Sequence, residues 1–508
     1  MRKLIGLGLG LLASVSQPAR AAWFEASSNH FVIYASSSEK WIRAFAERLE
    51  KFDAGIRFVG GLADPPDERS NRLIVYVVPS TDAVRRIYGD GGRDVAGFYT
   101  PRAGGSIVYT PQWTGGGPNF QPNLVLFHEY GHHILFRNYT AAYPAWYAEG
   151  FAEFVSTSTI DSEKVWIGRP ALHRAYGLLG YTMPVETLLT ADRRKLNDLA
   201  TQALYGRGWL LTHYLTFEDK RAGQLQKYVT AMNAGKSSVD AATEAFGELK
   251  QLDRDLNVYL HRSKITALAI PLDRLKTGTV TVRAMTAGEG AIMPVRMRSD
   301  RGVDAKEAAE IVADARRIAA DYPADVAVQI ALAEAEYDAN NDDAADAAAD
   351  RALAADPKSA QALLYKGRVA VRRARGKTDP EVWKTARSWF VKANRLDTGN
   401  AEAPLLFYTS FRAADIEPTE NARKALAGAF ALAPEDNYVR FLAVREMLIA
   451  GKVEEARRTL AVIAYNPHQP PDNWAARALA MMDGTPAKAV LAFIDGDKKN
   501  EGADEEKP

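Results

Sequence analysis

The 508-residue chain contains no cysteine. That absence excludes disulfide scaffolds, thiolate zinc sites and cysteine nucleophiles together, so any metal must be held by His, Asp or Glu. Net charge is nearly absent too, with 64 Lys and Arg against 63 Asp and Glu. No global field therefore draws the chain to nucleic acid or to anionic lipid. No apolar run reaches the ~18 residues of a membrane-spanning helix. Hydrophobic residues make up 47% of the chain, enough for buried cores, and the length predicts roughly three domains.

Residues 1–22 carry the features of an export signal. Arg2 and Lys3 form a basic start, Leu4 to Val15 are almost wholly apolar, and Ala19-Arg20-Ala21 supplies a small-x-small cleavage site. The apolar run is too short to span a bilayer, and no cysteine follows it for lipid attachment. The expectation is a protein exported and released, most simply into a bacterial periplasm, with no stable membrane anchor.

From Trp23 to about 265 the pattern is mixed. His30–Tyr34 and Leu73–Val78 read as strands, with Trp41, Phe45, Leu49 and Phe52 at helical spacing between them. Val95–Thr100 and Ser106–Tyr109 flank a glycine turn, as in a hairpin. Helices follow from Asn123 onward, including Leu199–Phe217 and Leu252–Leu260. Residues 266–302 predict a short β-ribbon linker, from alternation in Thr279–Arg283 and Ala291–Arg298. After 303 alanine becomes dense, and Pro323, Pro357, Pro434 and Pro467 recur at spacings of 34, 77 and 33 residues. Such periods, with small residues such as Ala333, Ala345, Ala349, Ala352, Ala422 and Ala429 where helices would cross, predict tetratricopeptide-like repeats over 303–494. Asp338–Asp343 then reads as a turn between helices, and the charged residues 495–508 as a disordered tail.

The chemistry centres on Phe127-His128-Glu129-Tyr130-Gly131-His132-His133. Histidines four apart on a helix share one face and can bind one ion, whereas Glu129, about 100° round the axis, is left beside the open position as a base. Two imidazoles need a third ligand. Sixteen residues separate His132 from Glu149, in Ala148-Glu149-Gly150-Phe151-Ala152-Glu153. That spacing lets a first helix end and a second, opened by Pro144, bring Glu149 opposite the histidines. Glu153, a turn further on, is positioned to accept the second ring N–H of a ligand histidine. His133 must point away from the ion and is read as structural, Trp146 and Phe151 as packing between the two helices, and His213 as a weaker candidate for the site.

These paired motifs resemble the glutamate-zincin group shared by thermolysin and the aminopeptidase N family, and above all the peptidase-MA-like (gluzincin, HExxH…E) proteins with C-terminal tetratricopeptide repeats. The resemblance covers residues 23–265 and is specific over 124–154. It implies an α+β zincin-like metallopeptidase domain followed by an all-α tetratricopeptide-like helical solenoid. It implies Zn²⁺ on His128, His132 and Glu149, Glu129 as general base and Glu153 behind a ligand histidine. A tyrosine in a later helix, here Tyr205, would serve the oxyanion. An edge strand over the active helix, with Gly97, Phe98 and Tyr99 or Ser106–Tyr109, would hold an extended substrate. Two features depart from the aminopeptidases. Their Asn-Glu-Gly is Ala148-Glu149-Gly150 here, and no Gly-x-Met-Glu-Asn motif is present. The expectation is therefore an exported zinc-dependent peptidase acting on a peptide or protein substrate, with a possible protein partner on the repeats. The competing reading is a non-catalytic scaffold whose zincin fold is vestigial.

Overall fold

The computed structural model describes residues 22–63, 72–89, 92, 95–113, 122–138, 141–192, 195–466 and 472–501. The expected export signal, except Ala22, lies outside the described residues, as do Pro467 and the last part of the expected tail. The described chain is mixed α/β, with two small sheets in its N-terminal part and a helical C-terminal region. Among the described residues, no helix is long and apolar enough to cross a membrane.

The main sheet has the order β4 (Phe98–Thr100), β5 (Ile107–Trp113), β3 (Leu73–Ser80), β2 (Phe31–Ser36), β1 (Trp23–Ser27), β9 (Thr281–Ala284). β2, β3 and β5 run parallel, and the outer pairs are antiparallel. Period-two alternation gives the sheet two apolar faces. Phe31, Ile33, Val75, Val77 and Val108 belong to the larger core. They share it with Phe52 of α1 (Glu39–Gly60) and Phe127 of α3 (Pro122–Asn138), whose rings stack 3.7 Å apart. The other face carries a ladder of rings across four strands. Tyr34 stacks on Tyr76 at 5.5 Å, Tyr76 on Tyr109 at 5.3 Å, and Tyr109 on Phe98 at 4.5 Å. Each of these pairs is in register across its strands. The second sheet is β6 (Thr159–Ile160), β7 (Lys164–Ile167) and β8 (Leu268–Pro271).

Two expectations need correction. Residues 266–302 do not form a ribbon of their own: β9 joins the main sheet beside β1, and Ala291–Arg298 lies within the helix Ala287–Arg301. A capping box starts this helix, with Thr286 accepting from the Glu289 N–H and Glu289 accepting from the Thr286 N–H. Its apolar residues serve two sides. Ile292 and Val295 pack with the C-terminal helices, while Met293 and Met297 cover the ring ladder. A helix apolar on two sides imitates strand alternation in sequence. The second correction concerns the tail: the helix Ala487–Glu501 runs past residue 495. Val490 and Ile494, one turn apart, are buried, and Asp495 is held by Arg445 at 3.0 Å.

In the C-terminal region successive helices pack on their sequence neighbours. Ala333, Ala345, Ala349, Ala352, Ala422 and Ala429 are fully buried there, which permits close helix crossings. Residues 339–341, with Asn340 at a φ of 60°, form the turn expected between Asp338 and Asp343. Pro323, Pro357 and Pro434 each stand two residues beyond the end of a helix.

The ring ladder predicts a large stability contribution from one side chain. Tyr76→Ala should cost about 3–5 kcal/mol, by loss of apolar burial and the cavity left behind. Urea unfolding followed by circular dichroism measures it, and a cost under ~1 kcal/mol would show that the ladder is not a core element.

Candidate metal centre

α3 is fixed from below by its apolar residues: Leu126, Phe127, Tyr130 and Ile134 are buried in the main core. α4 (Ala145–Ser156) is buried on nearly every side, from Trp146 through Ser156. The two helices meet at Gly131, where α3 has no side chain. A Cβ on Gly131 would lie 2.8 Å from Val155 Cγ2 and 2.9 Å from the Ala152 Cα. On its other side α4 touches the helix Asp198–Phe217, where a Cβ on Gly150 would lie 2.4 Å from the Gly208 carbonyl oxygen.

These approaches bring three ligand atoms together. His128 Nε2 and His132 Nε2 are 3.2 Å apart, and Glu149 Oε2 lies 3.3 Å from the first and 3.5 Å from the second. Ligands at zinc–nitrogen and zinc–oxygen bond lengths of ~2.0–2.2 Å, disposed tetrahedrally, would be separated by about 3.4 Å. The donor set, two imidazoles and one carboxylate, therefore fits that ion both in chemistry and in spacing. Glu149 is fully buried and His132 nearly so.

Glu153 supports the centre from behind. Its Oε1 lies 3.1 Å from His128 Nδ1, the contact expected of a carboxylate that orients a ligand histidine. It also takes His173 Nε2 at 2.8 Å and the Arg174 guanidinium. Burial opposes ionisation of Glu153, yet Arg174, His128 and His173 hold its carboxyl well below the usual range. Burial likewise disfavours charge on His128, but the hydrogen bonds and charges of Glu149 and Glu153 outweigh it. They push the imidazole up to about 10.

No family model, curated protein or solved structure matches the chain.

The remaining expected residues fall into separate roles. Glu129 lines a cavity of about 240 Å³ together with His132, Phe136 and Tyr99. The opposite wall comes from the C-terminal region, with Glu435, Arg440, Val462 and Asn466. This second wall is pinned in place: the Ala103 N–H donates to Asp436 at 2.8 Å, and Ser106 and Arg137 both donate to Glu435. Tyr205 is buried, with its ring 5.9 Å from that of His128 and the Arg174 guanidinium 4.6 Å over its face.

Along the sheet edge, Tyr99 faces α3, and its hydroxyl bonds His133 Nδ1 at 3.1 Å. Phe98 instead joins the ring ladder on the far side of the sheet. Gly97 lies against α3, where a Cβ would meet Val125 at 2.3 Å, so its lack of a side chain serves packing. His133 is buried and neutral, its pKa held well below the usual range by burial and nearby cations. Trp146 packs in the core, donating from Nε1 to Tyr228.

His213 is a core residue. Its Nε2 faces the carbonyls of Gly168 and Thr266, and its Nδ1 the Tyr259 hydroxyl. Burial pushes its pKa down to about 4.

Sequence reasoning missed His173, Arg174, Glu435 and Arg440. His173 and Arg174 stand on the short turn Leu172–Arg174, outside any motif. Arg440 did leave a signal: a charge set among the apolar residues Val439, Phe441, Leu442 and Val444. A second group, His30 with Glu50 and Asp53, also converges. There the Arg57 Nε already donates to both Asp53 oxygens at 2.9 Å, and the Tyr130 hydroxyl donates to Asp53 as well. The cluster thus ties α3 to α1, with Arg57 paired to Asp53 and His30 to Glu50.

Two outcomes follow from this geometry. Gly131→Ala should force α4 away from α3, costing about 1–3 kcal/mol in chemical denaturation and weakening the hold on added Zn²⁺ against a chelator. Unchanged stability and retention would show that the crossing does not set the centre. For His213, the folded pKa lies below the unfolded value of about 6.5, so its contribution to stability is whole above that pH. The contribution is lost as pH falls toward 4. Nuclear magnetic resonance should find its ring unprotonated down to about pH 5; a midpoint near 6.5 would contradict the buried neutral ring.

Proposed function

We propose that the protein is an exported zinc-dependent peptidase of the glutamate-zincin type. In this reading a zincin-like domain carries the reaction and tetratricopeptide-like helices accompany it. The observation that carries it is the convergence of His128 Nε2, His132 Nε2 and Glu149 Oε2 within 3.5 Å, with Glu129 on the adjoining cavity wall. A scaffold that had lost catalysis would have no use for the base beside three intact ligands.

His128, His132 and Glu149 would hold the ion, which when bound supplies Lewis acidity at neutral pH. Glu129 accepts a proton from the attacking water and returns it to the leaving nitrogen, so the carbon–nitrogen bond breaks without a charged amide leaving group. Glu153 holds His128 through Nδ1, which keeps Nε2 turned toward His132 and Glu149, the residues that would share the ion with it. Charge developing on the substrate oxygen needs a preorganised donor. Tyr205, beside His128 and under Arg174, is the residue proposed for that role.

Glu129→Gln keeps the ligand set but removes the base. The purified variant should retain zinc while cleavage of a peptide library falls by roughly 10²–10⁴-fold. Cleavage surviving at the wild-type rate would remove Glu129 from the mechanism.

A further inference from the structure

Phe136 stands one turn beyond His132 on α3, in the row His128, His132, Phe136 set by steps of four residues. Its ring lies nearly parallel to that of His132, with planes 11° apart and centroids 6.0 Å apart. Leu126, Phe127 and Ile134 of the same helix are buried in the core, but Phe136 is only partly buried and lines the cavity beside Glu129 and His132. The facing wall includes Val462, in the helix Val453–Ala464. Leu460 and Ile463 of that helix pack in the C-terminal core. Val462, about 200° round the axis from Leu460, is turned to the cavity instead. Tyr99 adds a third apolar surface, since its hydroxyl is already bonded to His133.

Glu435 and Arg440, the charged residues that the C-terminal region contributes to the wall, are engaged within the protein. Glu435 accepts from Ser106 and Arg137, and the terminal nitrogens of Arg440 are turned to the Pro434 and Thr459 carbonyls. A charged side chain entering here would lose its water among ions that already have partners, which is costly. An apolar one gains by leaving water and asks for no partner. Size narrows the choice further. A cavity of ~150 Å³ holds a benzene ring. About 240 Å³ therefore holds one aromatic or large aliphatic side chain, and not two. We infer that this cavity is a substrate side-chain pocket, that it takes one uncharged aromatic or large aliphatic residue next to the cleaved bond, and that Phe136 and Val462 set its selectivity. The C-terminal helices then help to choose the substrate of a site whose ligands all lie in α3 and α4. This rests on the peptidase reading above and adds its substrate class. The reaction remains simple hydrolysis: water adds across the amide, hydroxyl to carbon and proton to nitrogen, with no other reactant.

Full-length protein loaded with zinc is assayed on internally quenched peptides in which each position flanking the cleaved bond is in turn Phe, Leu, Ala, Lys or Glu. At one of the two positions, kcat/KM for Phe or Leu should exceed that for Ala, Lys and Glu by about tenfold or more. Val462→Phe, which fills the pocket, should reduce the preference for Phe over Ala by about tenfold. Val462→Ala removes bulk and needs no new space, and it should shift the preference from Leu toward Phe. Binding gives a second readout: zinc-loaded Glu129→Gln protein should bind the Phe peptide about tenfold more tightly than its Ala counterpart in calorimetry. Equal binding of those two peptides, a flat wild-type profile, or a preference for Lys or Glu at both positions overturns the inference whether or not a Val462 variant folds. A preference for Phe over Leu that folded Val462→Ala protein leaves unmoved places the selectivity elsewhere and overturns it too. In each of these cases hydrolysis stands. Absence of zinc-dependent cleavage of every peptide would instead remove the peptidase reading, and this inference with it.

Discussion

Three helices approach one another more closely than side chains ordinarily allow, and the candidate centre depends on that approach. Gly131 lets α3 sit on Ala152 and Val155 of α4, and Gly150 lets α4 sit on the backbone of Gly208. With no side chain at Gly131 or Gly150, the carboxylate of Glu149 reaches the two imidazoles while remaining fully buried. The same closeness removes water from the ligands, which strengthens every interaction among His128, Glu149, Glu153 and Arg174. Bulkier seams would let water in and spread the ligands beyond the span of one ion. The rest of the N-terminal region holds these seams in place: the stacked Phe52 and Phe127 rings fix α3 to α1, and Tyr130 bonds the Asp53 carboxylate on the same helix.

Much of the site was legible because helical spacing is a strong constraint. Once His128 and His132 are four apart, Glu149 and Glu153 need only a second helix at the right distance, and that helix is announced by Pro144. Glu153 behind His128 follows from the same arithmetic. The fold was legible where alternation is simple, as in β2, β3 and β5. It was misread where one element serves two cores, as in the helix Ala287–Arg301, whose apolar residues divide between the ring ladder and the C-terminal helices. His173 and Arg174 could not be read at all. They reach Glu153 from a turn whose position is set by tertiary packing, and no local spacing records it.

The C-terminal helices are more than an appended platform. Asp436 and Glu435 accept hydrogen bonds from the β4–β5 hairpin and from Arg137 at the end of α3. One wall of the cavity beside Glu129 therefore belongs to residues some 300 positions downstream, as the 298-residue separation of Arg137 and Glu435 shows. The form of that cavity depends on how these helices sit on the hairpin, and Asp436 and Glu435 make the hydrogen bonds that join the two.

β9 gives the chain an unusual order of completion. Its four residues close the open edge of β1, although the two strands are separated by over 250 residues, with Phe24 paired to Ala284. Contacts so distant in sequence are entropically costly to form and slow to find. While the chain is emerging, β1 and β2 stay an incomplete edge until residue 284 arrives, and an open edge is a template for mispairing. The helix that follows at once then lays Met293 and Met297 over the ring ladder. The last strand and its helix thus act as a clasp, and cutting the chain at 265 would yield the ligands without the closure that protects their sheet.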